Sequence, residues 1–286
     1  MNDATKIELE ILAAKARQHM VDSLISAGCG HPGGAFSSVD VMIALFFEIL
    51  KIDPARPRWE ERDRFILSKG HSSVGLYAVL ALRGFLPLDT LKTFRQDGSI
   101  LSGHPDMHKV PGVEASTGSL GHGLSIGVGM ALAAKMDGRL HRVFVLMGDG
   151  ETQEGSIWEA AMAAGHYRLD NLIGIVDRNR LQIDGATEGI ISLEPYRDKW
   201  AAFGWQAREI DGHNMSEIVV TLKSAPFHPG RPSLVISHTT KGKGISFMEN
   251  NPEWHGGAPK GEQAEIARRE VREKLEQLIW QKDHSE

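Results

Sequence analysis

The sequence predicts an α/β protein with three layers, in which helices cover both faces of a mostly parallel sheet. Two observations lead to this fold class. Apolar runs of strand length alternate along the chain with longer segments whose apolar residues recur three and four positions apart. The chain also has 286 residues, 41% apolar and 24% charged, which is enough to bury one full core. With no internal repeat or low-complexity tract, we expect a single domain over residues 1–286.

The chain opens with two predicted helices. Residues 7–25 have apolar positions at helical spacing, and Gly28 and Gly30 end that pattern. Ser38 is a candidate N-cap for the second helix, residues 39–50, which is apolar on nearly every side and is therefore expected in the core.

A short strand at 65–67, a polar loop and a helix at 74–83 follow, and Gly84 closes that helix. Residues 96–122 are rich in Gly, Pro, Ser, Thr and His and predict a loop. The next helix, 124–136, has a smooth side because small residues recur every four positions, namely Gly123, Gly127 and Ala131. That side predicts close packing, either inside the fold or against another copy of the chain.

The second half of the chain continues the alternation. Strands at 142–147 and 172–176 enclose a helix at 156–166 and predict a βαβ unit. Two further strands, 205–210 and 234–237, flank a helix that begins near Asn214, where Glu217 completes a capping box. Residues 262–280 predict a charged amphipathic helix.

Several function classes are disfavoured by composition. The net charge is −5 and no stripe of Lys and Arg is present, so we expect no nucleic-acid partner. The apolar runs are shorter than the roughly 18 residues of a membrane span, so we expect no membrane helix. The single cysteine, Cys29, and an acidic start without an apolar signal core predict a cytoplasmic protein.

The most informative segment is VFVLMGDGETQEG, an apolar strand that ends at Gly148-Asp149-Gly150. The next strand ends close to Asn179, and 28 residues separate Gly150 from Asn179. Because parallel strands present their carboxyl ends at one edge, we expect the two oxygen-bearing side chains to lie together there. Magnesium takes one or two protein oxygens and fills its octahedron with phosphate oxygens and water. The spacing therefore predicts a site for a diphosphate held through a metal.

These motifs resemble those of the amino-terminal, thiamin diphosphate-binding half of transketolase, and the chain is similar to the amino-terminal member of the split bacterial transketolases. The resemblance extends along the whole chain in the order GCGHPGG, SKGHSS, SGHPDMH, STGSLGHGLS, GDGETQEG, DRNRLQIDG, TTKGKGI and EWHGGAP. It implies the thiamin diphosphate-binding fold and the transfer of a two-carbon ketol unit from a ketose donor to an aldose acceptor.

The resemblance also implies roles for individual residues. It assigns Mg²⁺, replaceable by Ca²⁺ or Mn²⁺, to the side chains of Asp149 and Asn179 and the main-chain carbonyl of Leu181. The cofactor-binding residues that it implies are His71, Gly118, Leu120, Gly148, Asp149, Gly150, Glu151, Asn179, Lys241 and His255. The catalytic residues that it implies are His31, His71, His104 and His255.

Imidazoles suit this chemistry because they titrate near neutral pH and can donate or accept protons on sugar oxygens. His31 and His104 both precede a proline, which restricts them to extended geometry. Glu154 matches a position of the acidic dimer interface of the family, which implies self-association through this domain. His122 stands where many transketolases have glutamine, and its role is left open.

The resemblance covers only half of a complete transketolase. The other half holds the pyrimidine-binding domain, its activating glutamate and the arginines that clamp sugar phosphate. We therefore expect activity only with a pyrimidine-domain partner subunit, in a heterotetramer. The donor and acceptor sugars stay open, and the candidates include pentose phosphates, apulose 4-phosphate and a sulfo-sugar. A role for the substrate phosphate and the identity of the partner also stay open.

Three alternatives compete with this interpretation. Gly123-Leu124-Ser125-Ile126-Gly127 matches the nucleophile elbow of hydrolases, but a polar loop precedes it instead of a buried strand. A non-catalytic homologue would have no physical need for so many polar groups in one cavity. Pyruvate dehydrogenase α subunits share the GDG signature, and 1-deoxyxylulose 5-phosphate synthases are more distant, but the Gly-His-Pro segments resemble transketolase.

Overall fold

A computed structural model describes residues 1–284 of the chain, so residues 285 and 286 of the expected domain lie outside the described residues. Its main sheet has five strands, all parallel, in the order β1-β2-β3-β7-β6. The strands are β1 Arg64–Leu67, β2 Val143–Gly148, β3 Leu172–Arg178, β4 Leu181–Gln182, β5 Gly185–Ala186, β6 Gln206–Asp211 and β7 Ser233–His238, of which β4 and β5 form a separate antiparallel pair.

The helices are α1 Asp3–Ala27, α2 Pro32–Ala44, α3 Ser73–Arg83, α4 His122–Met136, α5 Gly155–His166, α6 Thr187–Ile190, α7 Tyr196–Ala202, α8 Met215–Lys223 and α9 Glu262–Asp283. They form two layers because successive side chains of a strand point to opposite faces. Phe144 and Leu146 of β2 pack in one core with α1, α2, α3 and α8. Val143, Val145 and Met147 pack in the other with α4, α5 and α7. The three-layer α/β/α prediction is confirmed.

Glycines end two of the predicted helices where the sequence places them. Gly28 follows α1 with φ 66° and Gly84 follows α3 with φ 95°, a conformation that costs glycine little. Asn2 caps the start of α1, since its side chain accepts the N–H of Thr5 at 2.8 Å.

The second helix differs from the prediction at its start. α2 begins at Pro32, whose fixed φ suits the first helical turn, instead of at Val39. Ser38 therefore lies inside the helix, where its hydroxyl donates to the carbonyl of Gly34 at 2.8 Å, and the expected N-cap is wrong. A π-helical turn, Leu45–Ile49, extends α2.

The helix α2 and its π-helical turn together are longer than the apolar runs from which we expected no stretch of membrane-spanning length. The stretch Pro32–Ile49 has 18 residues with a mean hydropathy of 1.3, so by length and composition alone it could cross a membrane. The expectation that no stretch reaches that length was wrong, because the glycines and serines of α2 interrupt the apolar run without making it polar. In the structure 89% of the stretch is buried inside the fold, as expected of a core helix.

The smooth side of α4 packs inside the fold. A Cβ atom on Gly123 would lie 2.3 Å from the hydroxyl oxygen of Ser68, and one on Gly127 would lie 2.5 Å from a methyl carbon of Val145. Both distances are too short for any real side chain. Of the two predicted explanations, internal packing is confirmed for this side.

The second half of the chain follows the predicted alternation. β2, α5 and β3 form a parallel βαβ unit, and α8 lies between β6 and β7. Asn214 caps α8 by accepting the N–H of Glu217 at 3.3 Å, but the Glu217 carboxylate reaches the N–H of Asp211 instead of that of Asn214, so the expected capping box is only half formed.

Candidate active site

The carboxyl ends of β2 and β3 meet at one edge of the sheet, as predicted. Gly148 pairs with Asp177 in the parallel register, so the residues that follow the two strands are neighbours. Asp149 is 1% exposed and Asn179 is 7% exposed. Two oxygen-bearing side chains are thus buried side by side at the end where ligands bind in parallel sheets.

Asp149 is held by three donors. One carboxylate oxygen, Oδ1, accepts the N–H of Gly150 at 2.8 Å. The other, Oδ2, accepts the N–H of Arg180 at 2.6 Å and a guanidinium N–H of Arg178 at 3.1 Å. Burial and the nearby Asp177 raise the pKa of Asp149, because both disfavour its charged form. An additional cation would favour that charged form.

Asn179 and Leu181 bring two further oxygens to the same place. The amide of Asn179 is oriented by Asp177, which accepts its N–H at 2.9 Å, and its Oδ1 accepts the N–H of Leu181 at 3.1 Å. The carbonyl oxygen of Leu181 accepts from the ammonium of Lys241 at 3.2 Å, so a positive charge already contacts it.

This donor set fits a hard cation. Carboxylate, amide and carbonyl oxygens are the ligands that Mg²⁺ prefers, and phosphate or water oxygens can complete its octahedron. Within residues 1–284, no group of three or more His, Cys, Asp or Glu side chains could hold a metal by itself. A metal here therefore depends on amide, main-chain and ligand oxygens in addition to Asp149.

The four predicted catalytic histidines lie together although they come from four separate segments. His31 is central, with ring centroids 5.6 Å from His71, 6.0 Å from His104 and 5.8 Å from His255. His71 and His255 are 5.2 Å apart. The Nδ1 of His31 is buried and has no hydrogen-bond partner among the described residues. An unpaired buried polar atom is costly, so this nitrogen is available for a ligand.

The environment keeps these imidazoles uncharged at neutral pH. Burial, followed by Lys69, lowers the pKa of His71 well below its usual value. Burial, Lys241 and His31 lower the pKa of His255 to about 4. Burial also lowers the pKa of His31 and of His104. Neutral imidazoles can both donate and accept, which suits hydrogen bonding to sugar hydroxyls.

A buried ion pair beneath the histidines was not predicted from the sequence. The ammonium of Lys69 contacts the carboxylate of Asp177, and both side chains are 1% exposed. Lys69 also donates to the carbonyl of Gly34 at 2.8 Å, while Ser37 donates to Asp177 at 2.6 Å. The pair links β1, α2 and β3 and orients Asn179 through Asp177. Its only sequence signal was a lysine and an aspartate at the ends of two apolar strands.

Two glycines of the expected cofactor site allow the backbone to pack closely against neighbouring side chains. A Cβ on Gly150 would lie 2.9 Å from Oε1 of Gln182, and one on Gly118 would lie 2.9 Å from the ring of His104. Gly148 ends β2, and Leu120 is partly buried in the turn before α4.

Glu151 lies in the site but is fully engaged by the protein. Its carboxylate accepts the N–H of Gly121 and of Gly148, both at 3.0 Å, and contacts the hydroxyl of Ser68. Burial raises its pKa. Glu151 would therefore affect a bound cofactor only indirectly, by fixing the backbone at Gly121 and Gly148.

Three other residues that the sequence singled out lie at the surface. His122 begins α4 and is exposed, and Glu154 is exposed just before α5. Ser125 is exposed inside α4, without the strand-to-helix turn that a nucleophile elbow requires. The hydrolase alternative therefore has no structural support in the described part of the chain.

Comparisons with known proteins agree with the geometry. The family described as transketolase, thiamine diphosphate binding domain, matches residues 9–278. A Phocaeicola vulgatus protein, named as one of the subunits of apulose-4-phosphate transketolase, is 51% identical over 94% of this chain and 96% of its own length. A Clostridium protein, 6-deoxy-6-sulfo-D-fructose transketolase subunit SqwG, is 48% identical over 85% of this chain and 89% of its own.

Among solved structures, transketolase from Campylobacter jejuni superposes with a TM-score of 0.87 at 32% identity. The match covers 97% of this chain and 46% of the Campylobacter chain. The chain thus spans nearly the full length of the two subunit relatives and about half the length of this solved enzyme.

Proposed function

Because the chain belongs to the transketolase family, of which it forms the thiamine diphosphate-binding domain, we propose that it is the amino-terminal subunit of a two-subunit transketolase. The complete enzyme would transfer a two-carbon ketol unit from a ketose to an aldose. We propose that residues 1–286 form a single domain, which the match over residues 9–278 supports. The cytoplasm is the proposed compartment.

One observation carries the proposal: four histidines and three oxygen donors converge at the carboxyl edge of the parallel sheet. We propose that Asp149, Asn179 and the carbonyl of Leu181 hold Mg²⁺, and that this metal binds the diphosphate. Bound thiamine diphosphate would supply the carbon nucleophile that carries the two-carbon unit.

The remaining steps belong to side chains of this chain. Lys241, beside the carbonyl of Leu181, would offer positive charge to the diphosphate, and the backbone at Gly148 and Gly150 would allow its close approach. His71 and His255 would face the cofactor, while His31 and His104 would exchange protons with sugar hydroxyls. Gly118 and Leu120 would line the cofactor cavity, and Glu151 would hold its backbone.

We also propose a partner subunit that carries the pyrimidine-binding domain. Two observations support it: the two relatives are named as subunits, and the chain matches only 46% of the Campylobacter enzyme. The proposed assembly is a heterotetramer in which this domain also associates with a second copy of itself. Large apolar side chains exposed on or after α4 and α5 support that contact, namely Met136, Leu140, Met162 and Tyr167.

A specialised donor is the second candidate for the substrate. The two relatives at 51% and 48% identity are named for apulose 4-phosphate and 6-deoxy-6-sulfo-D-fructose, instead of for ordinary pentose phosphates. Either donor would meet the same two histidines, His31 and His104, at the reacting end of the sugar.

The test is a two-carbon transfer assay with Mg²⁺ and thiamine diphosphate, run on this chain alone, on its candidate partner alone and on the mixture. The donors are xylulose 5-phosphate, apulose 4-phosphate and 6-deoxy-6-sulfo-D-fructose, with an aldose acceptor. Activity in the mixture alone supports the split enzyme, and the donor that is turned over identifies the substrate.

Other results separate the alternatives. Cofactor binding without turnover of any donor points to a further ketose. Failure of the mixture to bind thiamine diphosphate and Mg²⁺ by calorimetry would establish the non-catalytic homologue instead.

A further inference from the structure

An aspartate and a histidine are paired outside the candidate active site. Asp40 is a buried residue of α2, and His213 lies in the turn between β6 and α8. Nδ1 of His213 is 2.7 Å from a carboxylate oxygen of Asp40, and its Nε2 accepts the N–H of Thr240 at 2.9 Å. Because Nε2 accepts, the proton of the neutral ring lies on Nδ1 and is donated to Asp40. Both nitrogens are engaged, so His213 is not available as a general base.

Arg17 completes this group from α1. Its guanidinium donates to both oxygens of Asp40, at 2.8 and 2.7 Å, and its Nε donates to the carbonyl of Lys243 at 3.2 Å. Burial alone would raise the pKa of Asp40, but Arg17 and His213 outweigh it and hold that pKa well below its usual range. Asp40 is therefore charged at neutral pH and binds both Arg17 and His213. These two residues in turn bond the two ends of the loop 240–243, Arg17 at Lys243 and His213 at Thr240.

This loop carries Lys241. From a backbone fixed at Thr240 and Lys243, the ammonium of Lys241 reaches the carbonyl of Leu181 and lies 3.0 Å from Nδ1 of His255. A shift of the Thr240 peptide would therefore move a charge that contacts the candidate metal and histidine groups.

We propose that His213 is a positioning residue for the diphosphate end of the cofactor site: it fixes the peptide of Thr240 and thereby the place of the Lys241 ammonium. The role rests on the proposed function, because it assumes that Lys241 receives the diphosphate. His213 borders the same cavity as Asn179 and Leu181, but its two ring nitrogens bond Asp40 and Thr240, so it acts on Lys241 through the loop.

The experiment compares four variants of the chain in the complex with its partner subunit. His213→Ala removes both hydrogen bonds, whereas His213→Gln keeps an amide that can donate to Asp40 and accept from Thr240. His228→Ala is the matched control, since Nδ1 of the exposed His228 makes an equally short contact, 2.7 Å to the carbonyl oxygen of Pro229. Lys241→Ala is the reference for loss of the ammonium.

Three quantities are measured for each variant. The first is the Kd of thiamine diphosphate at saturating Mg²⁺, by titration calorimetry. The second is the rate of amide hydrogen exchange over residues 239–243, and the third is the melting temperature, which shows whether the variant is folded. For His213→Ala we expect a Kd raised about tenfold, the equivalent of one lost hydrogen bond, and faster exchange in this loop. His213→Gln should recover part of the affinity, and His228→Ala should leave Kd and loop exchange unchanged.

The outcomes separate the inference from the proposed function. If Lys241→Ala weakens binding while His213→Ala binds within twofold of the unmodified chain, the positioning role is wrong and the proposed function stands. If the unmodified complex binds no thiamine diphosphate, the proposed function fails and the positioning role fails with it. If His213→Ala does not fold, the Kd of His213→Gln decides: affinity lost without faster loop exchange contradicts the positioning role.

Discussion

The ammonium nitrogen of Lys241 lies 3.0 Å from Nδ1 of His255. An ammonium can only donate, so Nδ1 accepts and the ring proton of His255 lies on Nε2. Lys241 thereby fixes the tautomer of His255 and opposes its protonation. Burial and Lys69 in turn lower the pKa of Lys241 to about 8, which leaves it charged at neutral pH. A cation and a neutral imidazole therefore stand side by side at the expected cofactor position.

Burial and this contact with Lys241 together predict that His255 does not titrate near neutral pH. Its pKa is lowered to about 4, against about 6.5 for an unperturbed histidine. Since the folded-state value is the lower one, protonation of His255 opposes folding, and its contribution to stability is lost as the pH falls below about 6.5. NMR titration of ¹⁵N-labelled imidazoles, with His255→Gln to assign the signal, should show a neutral ring at pH 5.5. A midpoint near 6.5 would contradict the contact with Lys241.

Removal of the buried carboxylate should abolish metal and cofactor binding together. For Asp149→Ala in the complex, we expect the affinity for Mg²⁺ and for thiamine diphosphate to fall on the order of 100-fold, because the metal loses a charged ligand and the diphosphate loses its bridging cation. Calorimetry measures both, and Asp198→Ala on the exposed side of α7 is the control. Unchanged cofactor affinity would refute the metal role of Asp149.

His104 should affect turnover more than cofactor binding. It is the most exposed of the four histidines and its ring lies 6.0 Å from that of His31, whereas His255 is the histidine that contacts Lys241, so the expected contact of His104 is a sugar hydroxyl. His104→Ala should lower kcat by roughly 100-fold, the scale of one general acid–base group, with Kd for thiamine diphosphate within twofold. His108→Ala, an exposed histidine of the same loop, should change neither. If the variant lost only cofactor affinity, His104 would be assigned a contact with the cofactor instead of the sugar.

Two glycines of α4 offer a matched test of internal packing. Gly127→Ala places a methyl group against Val145 and should lower the free energy of unfolding by about 1–3 kcal/mol. Gly129→Ala, two residues later, meets nothing within 4 Å and should raise it by up to about 1 kcal/mol, because alanine favours the helix. Urea unfolding of both variants gives the comparison. Equal effects would show that Gly127 does not face the sheet.

Local patterns predicted the frame of the site. Gly148-Asp149-Gly150 and Asn179 each follow an apolar strand, and the parallel-strand rule placed them at one edge without tertiary information. By contrast, the start of α2 was misplaced, since Ser38 has the chemistry of an N-cap but Pro32 begins the helix. The hairpin of β4 and β5 was not predicted, because two-residue strands carry no periodicity.

The sequence by itself determined the alternation of strands and helices and the glycines that end α1 and α3, because each depends on residues close together in the chain. It also indicated Asp149 and Asn179 as candidate metal ligands, because each closely follows an apolar strand. Only the tertiary structure decided how three distant histidines converge on His31, how Lys69 pairs with Asp177, and how Asp40 supports the loop of Lys241. The physical reason is that a buried charge or imidazole is stabilised only by the hydrogen-bond and charge partners that the folded chain places beside it. That partner has no fixed distance along the sequence.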